Sequence, residues 1–269
     1  MKKGSFLIAL TASATLAFGS LSCTNDSNSD PGRISYLESG HEHEHSWHYE
    51  GADGPEHWGN LSEEFALCKT GKAQSPIDIK GPTKRGVPSL DVQYHTVTSL
   101  KVFNNGHTLK ESFDNPVSHL LIDGKSYDLL QFHFHSPSEH QIAGKAASME
   151  VHLVHQNADK ELAVIGVMIE EGKEHKALKA IWERIPQKAG EETIASGEFN
   201  ATMLLPKDRA FFHYTGSLTT PPCSEQVRWF VMRNSIELSH EQIQKFKDTI
   251  GYSIRPVQPL NGRTIFASK

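Results

Sequence analysis

Alternating apolar and polar residues, the pattern of half-buried β-strands, recur along most of the chain. Clusters rich in Gly, Pro, Asn and Asp separate these runs, as turns separate strands. The pattern predicts strands at Leu100–Phe103, His119–Ile122, Leu130–His135, Met149–His155, Glu161–Ile169 and Val227–Met232.

Two segments show the periodicity of an amphipathic helix instead. Segment 174–185 carries one apolar stripe and ends before Pro186, whereas segment 240–250 begins with a capping box of Ser239 and Gln242. Because the helices are few and do not alternate regularly with the strands, we predict a mainly β (α+β) fold. It consists of a large, twisted, mostly antiparallel sheet with a few peripheral helices.

The N-terminus has the pattern of an export signal. Lys2 and Lys3 precede a mostly apolar stretch, Phe6–Phe18, that is too short for a stable membrane span, and small residues follow it. We predict a signal peptide over 1–22 and an exported protein, either periplasmic or an outer-membrane-associated lipoprotein.

The next segment, 23–46, is rich in Ser, Asn, Asp and Gly and predicts a flexible tether. Cys23 stands where a bacterial lipoprotein carries its lipid, so a lipid anchor and plain signal cleavage are both open interpretations. His and Glu alternate over 41–45, which indicates either a solvated tail or a weak metal-binding segment. Residues 47–269 show no second linker and predict one domain.

The cysteines, the net charge and the histidine content each restrict the possible functions. Cys68 and Cys223 form an even pair in a chain that leaves the cytoplasm, which predicts a disulfide between them. The formal net charge of −5 provides no basic field for nucleic acid. Histidine is unusually frequent, with 16 copies, and is the commonest metal ligand.

Three of these histidines have the spacing of a metal site. Successive side chains on a strand point to opposite faces, so His133 and His135 share one face with Gln131. His152 shares a face with Glu150 on the next long strand, and the short connection allows the two strands to be antiparallel neighbours. Either this is a pair of half-buried histidines, or all three meet at one ion.

Three histidines without a fourth protein ligand are typical of a catalytic zinc site with an open position. Gln131 and Glu150 precede ligands by two residues, so we expect them to accept hydrogen bonds from ligand N–H groups.

An ordered set of motifs extends the pattern from Trp47 to Lys269. They read WHYEGADGPEHW, QSPIDI, NNGH, QFHFH, SEH, MEVHLVH, YTGSLTTPPC and RPVQPLNGR. In these motifs the chain resembles the alpha-class carbonic anhydrases of secreted bacterial type, the standard example of three-histidine zinc enzymes. The resemblance implies that 47–269 is the catalytic domain, with the fold of that family.

The resemblance also implies roles at the metal. Zinc would be bound by His133, His135 and His152, and zinc-bound hydroxide would attack carbon dioxide to give bicarbonate. Thr219 would orient the hydroxide with Glu139 as its partner, and sulfonamides would inhibit.

Further residues are assigned by the same resemblance. His107 matches the proton-shuttle histidine, and Tyr49 and Asn105 match residues that order a water chain. The substrate pocket is expected to comprise Val154, Val164, Leu218, Thr220, Val227 and Trp229.

Three other functions remain open. An inactive binding module would lack zinc ligands, which this chain keeps. A metal-buffering protein would bind several weak zinc ions, and a zinc esterase would use the same hydroxide. The resemblance also implies a possible homodimer.

Overall fold

The structure is a computed structural model and describes residues 46–83, 86–113 and 117–269. The predicted signal peptide and all but the last residue of the predicted tether lie outside the described residues, and so does Cys23. Within the described ranges, no helix is both long and apolar enough to cross a membrane.

Strands form most of the regular structure. They are β1 Asp78–Ile79, β2 Leu90–Gln93, β3 Val97–Asn104, β4 Leu109–Ser112, β5 His119–Ile122, β6 Lys125–His135, β7 Gln141–Ile142, β8 Met149–Gln156, β9 Leu162–Glu171, β10 Glu192–Phe199, β11 Phe211–Ser217, β12 Glu225–Met232, β13 Ile236–Leu238 and β14 Phe266–Ala267. The α-helices are α1 Trp58–Leu61, α2 Leu67–Thr70, α3 Lys179–Glu183 and α4 His240–Ile250. Short 3₁₀ turns cover Gly51–Asp53, Glu63–Phe65, Lys176–Leu178 and Ala201–Leu204.

Twelve of the described strands form one sheet, in the order β10-β3-β4-β6-β8-β9-β12-β11-β14, with β5 and β2 extending from β6 and with β13 beside β9. Most neighbours are antiparallel, as predicted, but β9 pairs in parallel with both β12 and β13. The central strand β8 is buried along its whole length. It therefore has protein on both faces of the sheet.

The two faces of the central strands carry different chemistry. Phe132 and Phe134 of β6 point into the main apolar core, where α3 and α4 also pack. The Phe134 and Trp182 rings meet edge to face with centroids 4.9 Å apart, and Phe246 of α4 lies beside them. The core holds this face rigid, so the opposite face of the same strands can present polar side chains in fixed positions.

All six predicted strands are present, and five of them extend beyond the predicted ends. The capping box of Ser239 and Gln242 at the start of α4 is confirmed. The prediction of a helix over 174–185 was too long, because α3 and its preceding 3₁₀ turn cover only 176–183. His175 is extended, and its N–H donates to the Gln242 side chain instead of entering a helix.

A smaller apolar cluster packs the start of the domain against the end of β11. Tyr49, Trp58 and Phe65 surround the disulfide between Cys68 and Cys223, which confirms the predicted bridge. The bridge joins residues 155 positions apart. It therefore ties α2 to the loop that follows β11.

Candidate metal centre and catalytic site

Strand register brings the three candidate ligands together. His133 of β6 lies directly opposite His152 of β8, and His135 lies opposite Glu150. Their candidate ligand atoms all lie within 4.8 Å of one another. The ring centroids are 5.0 Å apart for His133 and His135, and 4.6 Å apart for His135 and His152. One ion can therefore contact all three rings.

Two of the three rings have an acceptor at Nδ1. Nδ1 of His133 lies 2.8 Å from Oε1 of Gln131, and Nδ1 of His135 lies 2.6 Å from the Ser253 carbonyl oxygen. An acceptor at Nδ1 fixes the proton there and leaves the lone pair on Nε2.

His152 is oriented the other way round. Its Nε2, rather than its Nδ1, lies closest to the carboxylate, 3.0 Å from Oε1 of Glu150 and without hydrogen-bond alignment. Gln131 and Glu150 thus lie where the sequence predicted acceptors, whereas the Ser253 carbonyl was not predicted.

Burial keeps the three rings in the form that binds a metal. Burial, with the charges of the neighbouring histidines and Lys110, holds the pKa of His133 well below its usual value. Burial also lowers the pKa of His135 to about 4 and lowers the pKa of His152. Nε2 of His135 is buried without a hydrogen-bond partner among the described residues. Neutral imidazoles with one unpartnered buried nitrogen fit a divalent cation such as zinc.

Glu150 organises the next layer of contacts. Its Oε2 accepts from the backbone N–H groups of Glu139 and His140, at 2.9 and 2.8 Å. Its Oε1 lies 2.8 Å from Nδ1 of His140. Burial opposes the charge, but His140 and His152 outweigh it and hold the pKa of Glu150 well below its usual value. Glu150 is therefore an anion at neutral pH.

The network continues into the interior. Nε2 of His140 lies 2.7 Å from the Tyr214 hydroxyl, which lies 2.7 Å from the hydroxyl of Ser75. Sequence reasoning assigned no role to these three residues. Their only signal was their place inside the motifs SEH, YTGSLTTPPC and QSPIDI.

Glu139 and Thr219 are brought together next to the histidines. Oε2 of Glu139 lies 3.5 Å from Nε2 of His135 and has no hydrogen-bond partner among the described residues, while the Thr219 side chain is close enough to lower the pKa of Glu139. Oε1 accepts from the backbone N–H of Arg255 at 2.8 Å. Burial raises the pKa of Glu139 to about 7, although His152, Arg255 and Thr219 act against that rise.

The sequence profile described as Eukaryotic-type carbonic anhydrase matches residues 53–269. The chain belongs to the alpha carbonic anhydrase family.

Two groups of relatives agree with this assignment. A carbonic anhydrase of Neisseria gonorrhoeae is 43% identical over 220 residues, which cover 81% of this chain and 86% of that protein. The alpha-carbonic anhydrase of Thermovibrio ammonificans, solved with the inhibitor sulfanilamide, is 42% identical with a TM-score of 0.79, covering 82% of this chain and 99% of that one. A hyperthermostable carbonic anhydrase from an active hydrothermal vent chimney is 46% identical with a TM-score of 0.80, covering 83% of this chain and 100% of that one. The chain is therefore a carbonic anhydrase, an enzyme family that hydrates carbon dioxide.

The residues predicted to line the substrate pocket include a row of apolar side chains in this carbonic anhydrase. Register places Val154 opposite Val164 and Val164 opposite Trp229, in one row across β8, β9 and β12. Val227 is also buried, whereas Leu218 and Thr220 are half-buried beside the buried Thr219.

The predicted proton-path residues range from the buried Tyr49 to the half-buried His107 and the exposed Asn105. His107 is half-buried and stacks on Trp47, with ring centroids 3.8 Å apart and planes at 11°. Burial and the charge of His48 lower the pKa of His107 to about 4. Tyr49 lies 6.2 Å from His107 between ring centroids, and burial and Glu139 raise its pKa, so it stays protonated. The Asn105 side chain accepts from the His107 and Thr108 backbone N–H groups and so stabilises the turn.

Proposed function

We propose that this carbonic anhydrase holds one zinc ion on His133, His135 and His152 and hydrates carbon dioxide reversibly to bicarbonate and a proton. The observation that carries the proposal is the convergence of three neutral imidazoles whose candidate ligand atoms lie within 4.8 Å, with acceptors at Nδ1 of His133 and His135 and with Glu150 beside His152. When bound, zinc supplies the Lewis acidity that lowers the pKa of water to about 7, the established behaviour of carbonic anhydrase zinc sites.

The chain itself orients the nucleophile. In its ionised form Glu139 can only accept hydrogen bonds, and we assign the Thr219 hydroxyl as its donor. The Thr219 oxygen is then left as an acceptor for the attacking hydroxyl group, which directs that group's lone pair towards the substrate. The Thr219 backbone N–H is the donor we assign to a substrate oxygen.

The apolar side chains hold the substrate. Val154, Val164 and Trp229 are almost fully buried and offer no hydrogen bond to water from their apolar surfaces. Carbon dioxide is small and carries no charge, so it binds against such a surface. Bicarbonate is an anion and is released more readily from it.

The reaction releases a proton, which must leave the site for the next turnover. We assign its export to His107, with the buried and protonated Tyr49 and the turn residue Asn105 placing water between the site and this ring. An imidazole can accept and release a proton, and the lowered pKa of His107 favours rapid release.

The proposal extends to inhibitors and to location. Sulfanilamide is bound by the Thermovibrio ammonificans relative, and we propose that sulfonamides bind here through Thr219. The disulfide indicates export. Three features remain predictions: the signal peptide, a lipid on Cys23 and a homodimer. Mass spectrometry of the mature protein tests the first two, and size-exclusion chromatography tests the third.

Stopped-flow hydration of carbon dioxide, with zinc content measured on the same samples, tests the proposal. We expect one zinc per chain, loss of activity on chelation and recovery when zinc is returned. His135→Ala should abolish both tight zinc binding and hydration. His119→Ala is the matched control, because His119 lies on another strand of the same sheet and pairs with Gln93.

Full hydration activity with unchanged zinc content in His135→Ala would refute the metal assignment. Several weakly bound zinc ions without hydration activity would identify a metal-buffering protein instead.

A further inference from the structure

The ring assigned to proton export is held away from bulk water. His107 is half-buried and stacks flat on Trp47, with ring centroids 3.8 Å apart. Its backbone is fixed as well, because its N–H donates to Oδ1 of Asn105 at 2.9 Å. A ring in this position needs a route for the proton to reach solvent.

A second imidazole lies on the solvent side. His48 is exposed, and its ring centroid lies 6.0 Å from that of His107. Its main chain is fixed at both ends of the residue: the N–H donates to the Asp53 carbonyl at 2.9 Å, and the carbonyl accepts from Nε1 of Trp58 at 2.8 Å. The ring is therefore kept near His107 without being removed from water.

Electrostatics favour outward transfer. Burial, and then the charge of His48, lower the pKa of His107 to about 4, so a proton stays on that ring only briefly near neutral pH. Among the described residues, His48 is the one charged neighbour that acts on this pKa. Because His107 is half-buried and His48 is exposed, transfer from the first ring to the second carries the proton towards solvent.

We propose that His107 and His48 form a two-histidine relay for the protons this carbonic anhydrase releases. His107 receives the proton from the site side and passes it, directly or through one water, to the imidazole of His48. His48 then releases it to water or buffer. The proposal rests on the assignment of His107 as the export group, and no electron is transferred in either step.

Activity in weak buffer tests the relay. The full chain, loaded with zinc, carries His41, His43 and His45 changed to Gln, so that these residues cannot replace His48. In this background we compare His48→Gln, His107→Ala and the double variant, with His57→Gln as the control. His57 is an exposed histidine of the same segment whose side chain makes no helix-cap hydrogen bond.

His48→Gln should lower kcat in weak buffer about 3- to 10-fold, less than the roughly 100-fold cost of losing a positioned proton-transfer group, because water still reaches His107. The ratio kcat/KM should not change, and added imidazole should restore kcat. In the His107→Ala background, His48→Gln should have no further effect, because the two rings act in series. His57→Gln should leave every constant unchanged.

A second readout does not depend on turnover. NMR titration of the His107 ring should show a higher pKa in His48→Gln, because a neighbouring positive charge has been removed. His57→Gln should leave the His107 titration where it was.

Normal kcat in His48→Gln beside a lowered kcat in His107→Ala would overturn the relay while keeping His107 as the export group. Independent, multiplying losses in the double variant would also overturn it, because they indicate parallel routes. Normal kcat in both single variants would overturn the assignment of His107 itself.

Discussion

Two buried carboxyl groups of this protein differ in their hydrogen-bond partners. Oε1 of Glu139 accepts from the backbone N–H of Arg255 next to the candidate ligands, and its Oε2 has no hydrogen-bond partner among the described residues. Glu111 instead shares the apolar face of β4 with Leu109 and pairs with Phe132, and neither of its oxygens has a hydrogen-bond partner among the described residues. We therefore expect Glu139 to affect catalysis and Glu111 to affect how the free energy of unfolding depends on pH.

For the first carboxyl, we expect Glu139→Gln and Thr219→Val each to lower kcat/KM by roughly 10²–10³, the range measured when a positioned catalytic hydrogen bond is lost. Zinc content should not change, because neither residue is an assigned ligand. If the two act as one unit, the double variant should lose little more than either single variant. Stopped-flow hydration by the two single variants and the double variant measures this double-mutant cycle. Losses of kcat/KM that simply multiply would contradict the coupling.

For the second carboxyl, we expect stability to fall with increasing pH. Burial raises the pKa of Glu111 well above its usual value, so the folded chain keeps a proton that the unfolded chain loses above about pH 4.3. The contribution is fully present below that pH. It is lost as pH rises towards the folded pKa, at up to about 1.4 kcal/mol per pH unit.

Urea unfolding of the wild type and Glu111→Gln from pH 4 to 8 measures this loss, since Gln does not titrate. The free energy of unfolding of Glu111→Gln, relative to that of the wild type, should increase as pH rises. Glu198→Gln, an exposed position on β10, should show no such trend. Parallel stability curves for the wild type and Glu111→Gln would contradict a buried neutral carboxyl.

At the scale of elements, the pairing of β8 with β9 makes room for the metal-site carboxylate. Register puts Gly166 opposite His152. A Cβ at Gly166 would lie 2.8 Å from Oε1 of Glu150 and 3.6 Å from the Trp229 ring. The missing side chain therefore allows the buried Glu150 to reach His152, a requirement that no strand pattern reveals.

We expect Gly166→Ala to weaken zinc binding about 10- to 100-fold, the usual cost of displacing a group that orients a metal ligand. Competition with a fluorescent zinc chelator measures it. Gly172→Ala, just beyond the end of β9, is the control. The three atoms nearest to its Cβ would all belong to the side chain of Glu237, which is exposed and can move. Equal zinc affinity in both variants would show that Glu150 does not need this space.

At the scale of the whole molecule, a few long-range links hold the start of the domain against the site. Arg255 is buried over the Trp58 ring and donates to the Cys68 carbonyl and to Oε1 of Gln74, each at 2.8 Å. The backbone N–H of Arg255 binds Glu139. The Cys68–Cys223 disulfide and Arg255 thus connect α2 with the Thr219 loop and with Glu139.

Changing both cysteines to serine should lower the free energy of unfolding by about 2–4 kcal/mol, the typical contribution of a native disulfide. Denaturant unfolding of the oxidised protein and of the variant measures the difference. A reductant should destabilise the wild type and leave the variant unchanged. Equal free energies of unfolding for the oxidised wild type and for the variant would contradict the expected contribution of the disulfide.

The sequence by itself determined which side chains share a face. A period of two residues placed His133 with His135, and Glu150 with His152, because neighbouring strand residues always point to opposite sides. The capping box of α4 was equally local, since Ser239 and Gln242 are three positions apart. These features depend on backbone geometry within one element, so the printed order of residues is enough to predict them.

Only the tertiary structure decided which distant groups complete the site. The Ser253 carbonyl meets His135 across 118 positions, and the Arg255 N–H meets Glu139 across 116. The parallel pairing of β9 with β12, which brings Trp229 beside Val164, is likewise a property of the closed sheet. The physical reason is that strand order and register follow from packing of the whole core and closure of long loops, which no local periodicity encodes.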